Sequence, residues 1–366
     1  METPATVDIS AFLALQAGQG ELTAELRQLC STVIESFHQT GILILRTPKV
    51  DEAENWRFID MMERYFVGAS QHFYNGEKVA EVFPELGFQV GATPELTEKA
   101  RDHCDKINHY PDADKPQSLC PPQFDAKWRY FWRIGALPEQ DAGMNFNNVV
   151  PAQIPEWPGV MDSWGSLMLS SVEAVVSMCE IGMGLPKGRI TDMMQQAPHL
   201  LAPTGSDLAK FGQGTIFAGF HYDLNFITIH GKSRYPGLFA WLRSGKKIPV
   251  RVPDGCLLLQ AGKEFEYLTG GFVLAGYHEV VYTDSTEEAV QRARVENRPL
   301  WRVSSTLFSH LRTDLTLAPL PELASSYSQS PSETEAKYPP LNTADYIRAE
   351  LIAIGLLKTE KPDSGY

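Results

Sequence analysis

The hydrophobic period of this 366-residue chain changes after Pro203, and that change sets what the chain can fold into. Before it, apolar residues recur every three or four positions. Leu22, Leu26, Leu29, Val33 and Phe37 mark an amphipathic helix over 21–39, with Gly41 as its stop. Ile42-Leu43-Ile44-Leu45 reads as a buried strand, and 7–13 as a short strand leading into a turn. Residues 51–70 form a second helix with Trp56, Ile59, Met62 and Tyr65 inward, and 162–183 a third along Met168, Val172, Val175 and Cys179. A short helix over 190–196 follows. After Pro203 the period is two. Short runs at 215–218, 224–230, 237–242, 249–252, 256–260, 272–282 and 300–309 are each bounded by Gly, Pro, Ser or Asp. Helices first and short strands later predict an α+β fold, its β part a sandwich or jelly roll with a ligand-holding mouth.

Four stretches depart from this pattern. Residues 76–158 lack clear periodicity, include the aromatic run Trp128-Arg129-Tyr130-Phe131-Trp132, and read as a functional loop region or lid. Asp284-Ser-Thr-Glu-Glu288 reads as a capping box that opens a helix reaching Glu296. The Ser- and Pro-rich 325–340 reads as a surface linker. A last helix is expected over 346–357, then a polar, disordered tail over 358–366. The chain is therefore read as one large domain, 1–366. Within it lie an N-terminal helix and strand region (1–75), an aromatic-rich loop and helical region (76–200), a strand-built core (201–320) and a linker, helix and tail (321–366).

Composition limits the partners. The formal net charge is −13 and the pI about 5.2, so the basic footprint of a nucleic-acid binder is missing, as is attraction to an anionic membrane. No uninterrupted apolar run approaches the ~20 residues of a membrane span. A small anionic substrate stays compatible, because it meets only local charge. Five scattered cysteines without a CxxC pair, and an N-terminus without a leader pattern, predict free thiols in a cytoplasmic protein. Oligomeric state is not readable from these features.

The chemistry-bearing residues gather between Gly219 and Phe308. His221 and Asp223 stand at i and i+2, so on a strand both project to one face. His278 follows the turn Thr269-Gly270-Gly271 in a strand-like run that a partner strand can bring opposite His221. Two imidazoles and a carboxylate in this order are what a facial triad needs to hold Fe(II) with coordination positions open for a co-substrate and O₂. His230 is an odd seven residues past Asp223, which on a regular strand turns it to the other face. His310 is placed to cap or line a pocket. Arg302 and Ser304, again i and i+2, offer a guanidinium and a hydroxyl to a carboxylate.

With these motifs in place, the chain resembles the non-haem Fe(II)- and 2-oxoglutarate-dependent dioxygenases of the isopenicillin N synthase-like group. The resemblance rests on Gly219 to Thr228, on Leu268 to His278 and on Arg302-Val303-Ser304. It extends to Val7-Asp-Ile-Ser10, to Thr40-Gly-Ile-Leu-Ile44 and to 237–268, read as the strands between the two ligand motifs. It implies a double-stranded β-helix core (jelly-roll, cupin-like) with flanking helices. It also implies iron on His221, Asp223 and His278, and the distal carboxylate of 2-oxoglutarate on Arg302 and Ser304. The implied reaction oxidises a small molecule by hydroxylation, desaturation or ring closure and releases succinate and CO₂.

Two departures stand out. Arg302 lies 24 residues beyond His278, an excess that the helix over 284–296 absorbs if it bulges out between two strands. Asn108-His109-Tyr110-Pro111 resembles a family Tyr motif but sits far before His221, where a substrate-side role is the expectation. The same residues also fit an Fe(II) oxidase that uses O₂ without 2-oxoglutarate, or a non-catalytic jelly-roll binding protein. Lys210, Lys232, Arg234 and Arg243 lie near the motif strands as candidate carboxylate contacts, and the run Trp128 to Trp132 either lines a pocket or fills core.

Overall fold

A computed structural model describes residues 3–136, 146–326 and 329–357. The tail expected over 358–366 lies outside the described residues. The N-terminal region forms β1 (Thr6–Asp8), α1 (Ser10–Gln16), α2 (Ala24–Thr40), β2 (Ile42–Arg46) and α3 (Glu52–Tyr74). Gly41 ends α2 in the left-handed region at φ 70°, and the Asp51 side chain caps α3 by accepting from Ala53 N–H. Next come β3 (Gly91–Thr93), α4 (Cys104–Asn108), β4 (Trp128–Arg133), α5 (Trp157–Gly182), α6 (Thr191–Met194), β5 (Leu200–Leu201) and β6 (Thr204–Asp207). The expected strand region yields β7 (Ile216–His221), β8 (Ile227–His230), β9 (Leu238–Trp241), β10 (Lys247–Pro249), β11 (Cys256–Ala261), α7 (Lys263–Leu268) and β12 (Tyr277–Val281). The rest of the chain forms α8 (Asp284–Val295), β13 (Trp301–Ser304), β14 (Thr306–Ser309), β15 (Thr316–Leu317), α9 (Pro331–Lys337), β16 (Leu341–Asn342) and α10 (Thr343–Ala353).

Two sheets carry the architecture. The large one runs β1-β2-β11-β8-β14-β5-β4-β6-β13, with β3 added beside β4, and the small one runs β10-β9-β12-β7. Among the described residues only β1 and β2 pair in parallel; the other paired strands are antiparallel. Ile42 and Leu258 of the large sheet pack with Ala240 of the small one, which closes a sandwich by burying its inner faces. This is the expected jelly-roll core. The helices α2, α3 and α5 cover the large sheet, with Phe37, Phe58, Trp164 and Val172 in one core shared with Leu43, Ile229 and Leu307. By length and composition α5 is apolar enough to cross a membrane, but its Trp164, Met168, Val175 and Cys179 are buried inside the fold.

Several expectations are corrected. Lys263–Leu268 forms α7 rather than a strand: Glu264 and Glu266 turn inward there and accept backbone N–H groups of Leu311 and Ala275. Residues 325–340 include α9, which Ser330 and Glu333 cap reciprocally, so this stretch is not a plain linker. The cap of α8 is Thr283 with Thr286, because Thr283 is extended and the Thr286 hydroxyl accepts its N–H at 3.1 Å. Within 76–158, β4 is a regular strand. Its alternation sends Trp128, Tyr130 and Trp132 into the core and Arg129, Phe131 and Arg133 to a cavity wall, so the aromatic run does both things weighed for it. The five thiols are not all free, since Cys104 and Cys120 are joined in a disulfide while Cys30, Cys179 and Cys256 are free and buried.

Candidate active site

The end of β7 and the start of β12 make the site. These strands are antiparallel neighbours whose register sets His278 directly opposite His221, and their imidazole centroids lie 4.2 Å apart. Asp223 lies two residues past the end of β7, in the bend that leads to β8, so strand alternation is not what aims it. Its carboxylate comes within 3.6 Å of His221 Nε2 and 3.8 Å of His278 Nε2. One ligand atom from each of the three residues lies within 4.8 Å of the others.

Hydrogen bonds fix which atoms face inward. Each imidazole donates its Nδ1–H to the carbonyl two residues before it, Gly219 at 2.5 Å for His221 and Gly276 at 3.1 Å for His278. Both Nε2 lone pairs are thereby left toward Asp223, the tautomer a metal requires. Thr228 Oγ1 donates to Asp223 Oδ2 at 2.6 Å and holds the carboxylate from behind. Burial alone would raise the Asp223 pKa, but His278, His221 and the Thr228 hydroxyl outweigh it and keep the carboxyl well below the usual range. Burial, with His221 beside it, lowers the His278 pKa to about 3, so its imidazole is neutral near pH 7. Two imidazoles that turn Nε2 toward one ionised carboxylate fit a divalent iron.

Arg302 and Ser304 come from β13 of the other sheet and line the same cavity as His221, Asp223 and His278. The long gap in sequence is taken up by α8, which lies between β12 and β13 and buries Ala289, Val290 and Ala293 against Phe217, Tyr235 and Tyr282. Arg302 is only 7% exposed; its Nε donates to the Pro236 carbonyl at 3.0 Å. Among the described residues no carboxylate forms an ion pair with Arg302. Burial lowers its pKa to about 10, which still leaves it charged near neutrality. Gly237 leaves room for the guanidinium: at φ 131° it is a position that disfavours L side chains, and a Cβ there would meet Val281 O at 2.6 Å and Arg302 Nε at 3.5 Å. A buried cation with no protein counter-ion, open to a cavity that also holds three metal donors, suits a carboxylate ligand.

Some site residues were not visible in the sequence. His230 lines this cavity, contrary to the odd-offset expectation, because the bend at 222–226 breaks the alternation between β7 and β8. It is held between Thr306 Oγ1 at 3.0 Å and Gln260 Oε1 at 2.8 Å. Arg129 of the aromatic run and Lys127, just before it, also line the cavity, and Glu98 pairs with both, at 2.6 and 3.4 Å. Alternation around Trp128 was the one available signal for them. Of the four candidate cations, Lys210 pairs with Glu95, Lys232 with Asp254, and Arg234 with Asp60 and Glu63, so these three are structural. Tyr110 does not reach the site but packs on Phe220 and Trp241.

A larger chamber adjoins the triad, sharing His221, Asp223 and Phe308 with it and enclosing about 1050 Å³ with its mouth. Phe131, Tyr222 and His103 line it on the strand and loop side, and Ile347 and Leu351 on α10 line the other. An ion pair between Arg101 and Glu350 ties α10 to the facing loop. His310 lines the chamber as expected and interacts with Glu264 at 3.4 Å.

No family model and no curated protein sequence matches this chain. Solved structures do match. A full-length Neurospora crassa protein in complex with alpha-KG superposes with a TM-score of 0.68 at 17% identity, over 96% of each chain. A 2OG-Fe(II) oxygenase family protein from Caulobacter crescentus gives 0.65 at 17% identity, over 97% of this chain and 100% of that one. The rice dioxygenase for auxin oxidation gives 0.59 at 13% identity, over 97% and 99%. The fold is therefore that of the Fe(II)- and 2-oxoglutarate-dependent oxygenases, present here over almost the full length of the chain.

Proposed function

We propose that this chain is an Fe(II)- and 2-oxoglutarate-dependent oxygenase that hydroxylates a small-molecule substrate. The observation that carries this reading is one cavity in which a His221, Asp223 and His278 donor set faces a buried Arg302 with no protein counter-ion. The fold supports it, as do neighbours solved with alpha-KG, one of them also with thymine. When bound, iron and 2-oxoglutarate supply an oxidative decarboxylation that releases succinate and CO₂ and drives oxidation of a substrate C–H bond.

The chain's own groups do the rest. His221 and His278 present Nε2 to the metal because Gly219 and Gly276 carbonyls hold their Nδ1 protons. Thr228 fixes the third ligand, Asp223, by donating to Oδ2. Arg302 and Ser304 take the distal carboxylate of 2-oxoglutarate, which supplies the charge that the buried guanidinium lacks. Phe308 stands where the co-substrate cavity meets the substrate chamber. Phe131 on β4 and Ile347 and Leu351 on α10 give the chamber apolar side chains against which a substrate carbon can rest.

The neighbours solved with alpha-KG favour this reading over an oxidase that needs no 2-oxoglutarate. Anaerobic titration with Fe(II), with and without 2-oxoglutarate, tests it through the charge-transfer absorption of the chelate, followed by succinate release against a metabolite panel. The expected result is a band that needs both components. If neither band nor succinate appears, the proposal fails.

A further inference from the structure

A second cavity lies away from the metal donors, bordered by the end of α2, the turn at 241–245, α4 and α7. Its walls carry Lys106, Arg243, Lys263 and Lys337 with His38 and His109, against a single carboxylate, Glu266. The chain as a whole has a formal charge of −13, so this local excess of cations runs against its composition. Nor is Glu266 free to neutralise them. Its Oε1 accepts from Lys263 Nζ at 2.6 Å and from the Tyr338 hydroxyl at 2.9 Å, and its Oε2 from Ala275 N–H at 3.0 Å.

The remaining cations lack acidic partners. Among the described residues, no carboxylate lies within ion-pair distance of Lys106, Arg243 or Lys337. Lys106 Nζ sits 4.3 Å from the centre of the Tyr277 ring, and Arg243 donates to the Phe272 carbonyl at 2.7 Å. Partial desolvation by the cavity walls holds the Lys106 ammonium below its ordinary pKa; Glu266 opposes this, and Lys263 and Lys337 add to it. Like charges gathered in a concavity repel one another unless an anion sits among them. The cavity also has an aromatic side, formed by Tyr277, Tyr110 and Trp241, against which the carbon skeleton of a ligand can lie.

We propose that this cavity binds a small anion with two or more negative charges, a polyphosphate or a polycarboxylate, at a site separate from the active site. Tyr277 immediately precedes His278, so the two consecutive residues of β12 serve different cavities. The assignment does not depend on the reading of the active site, since none of its cations lines the metal cavity.

Titration of the full chain with pyrophosphate and, separately, citrate tests it, read by calorimetry and by fluorescence of Trp241. The expected result is saturable binding of at least one probe, and the probe that binds identifies the ligand chemistry. Binding should weaken at least ten-fold in a Lys106→Gln, Arg243→Gln, Lys337→Gln variant whose circular dichroism and thermal midpoint match the parent. It should persist in Arg302→Ala, which removes the active-site cation alone. Absence of saturable binding by both probes, undiminished binding in the triple variant, or loss in Arg302→Ala would each overturn the proposal. If the triple variant misfolds, Lys106→Gln alone, at an exposed position, carries the same expectation at smaller size.

Discussion

His221 and His278 face each other across one antiparallel strand pair, whereas Arg302 reaches the same cavity from the other sheet. The two sides are held differently. Each triad residue has a protein hydrogen-bond partner that sets its orientation: the Gly219 and Gly276 carbonyls and the Thr228 hydroxyl. Arg302 has one carbonyl contact and, among the described residues, no ion-pair partner. The triad side is thus pre-organised by the protein alone, while the Arg302 side awaits the charge that the proposed co-substrate would supply. A donor set can be built by short-range geometry, but a buried cation needs a charge from outside.

Four substitutions probe this contrast, from the largest effect to the smallest. His278→Ala removes a metal donor from the rigid side, and Fe(II) affinity should fall by more than about a hundred-fold. Calorimetric titration checks this; unchanged affinity would remove His278 from the donor set. Arg302→Met acts on the other side. It should weaken 2-oxoglutarate binding by about 2–5 kcal/mol, since a carboxylate loses its buried partner. The thermal midpoint of the ligand-free protein should not fall, because an unpaired buried charge is replaced by an apolar chain. A midpoint that drops while 2-oxoglutarate binding is retained would mean that Arg302 serves the fold and not the ligand.

Thr228→Val keeps the shape of the residue and deletes one hydrogen bond to Asp223. Fe(II) affinity should drop about 10–100-fold with the 2-oxoglutarate grip intact. If both fall together, the two sides are coupled more tightly than their separate anchors imply. His199→Gln has the mildest expected effect near neutral pH and concerns the chamber's support. His199 is 4% exposed, donates Nε2–H to the Met194 carbonyl at 3.0 Å and accepts His310 N–H on Nδ1 at 3.1 Å. Burial, with His310 and Arg133 nearby, lowers its pKa from the ordinary 6.5 to about 3.

The folded state therefore holds His199 neutral where the unfolded chain would protonate it. Its contribution is fully present above pH 6.5 and declines as the pH falls toward about 3, by up to about 1.4 kcal/mol per pH unit. Denaturant midpoints of parent and variant across that window should differ in slope by this amount. Parallel slopes would show that His199 is not the proton acceptor.

How far the sequence reached follows from the range of each interaction. The change of period at Pro203 separates α2, α3 and α5 from strands β7 to β14, because amphipathic patterning is local and survives tertiary packing, but β1 to β5 of the large sheet lie before it. His221 and His278 were legible because each stands on a strand with recognisable flanks. Asp223 was identified for a reason only partly realised, since it lies in a bend and not on the strand that the i, i+2 argument assumed. The aromatic run concealed Arg129 and, just before it, Lys127, whose place on the cavity wall appears only when β4 takes its place in the large sheet.

Residue types and their order thus pointed to the His221, Asp223 and His278 cluster, to Arg302 and Ser304 as a candidate carboxylate grip, and to the class of fold. Only the tertiary structure decided that His230 turns into the cavity, that α8 stands aside so β13 can bring Arg302 to the triad, and that Lys106, Arg243 and Lys337 converge. The physical reason is that charge and chirality act along the chain within a turn or a strand. The meeting of residues far apart in sequence depends on which strands pair and how helices cover them, and no local pattern encodes that.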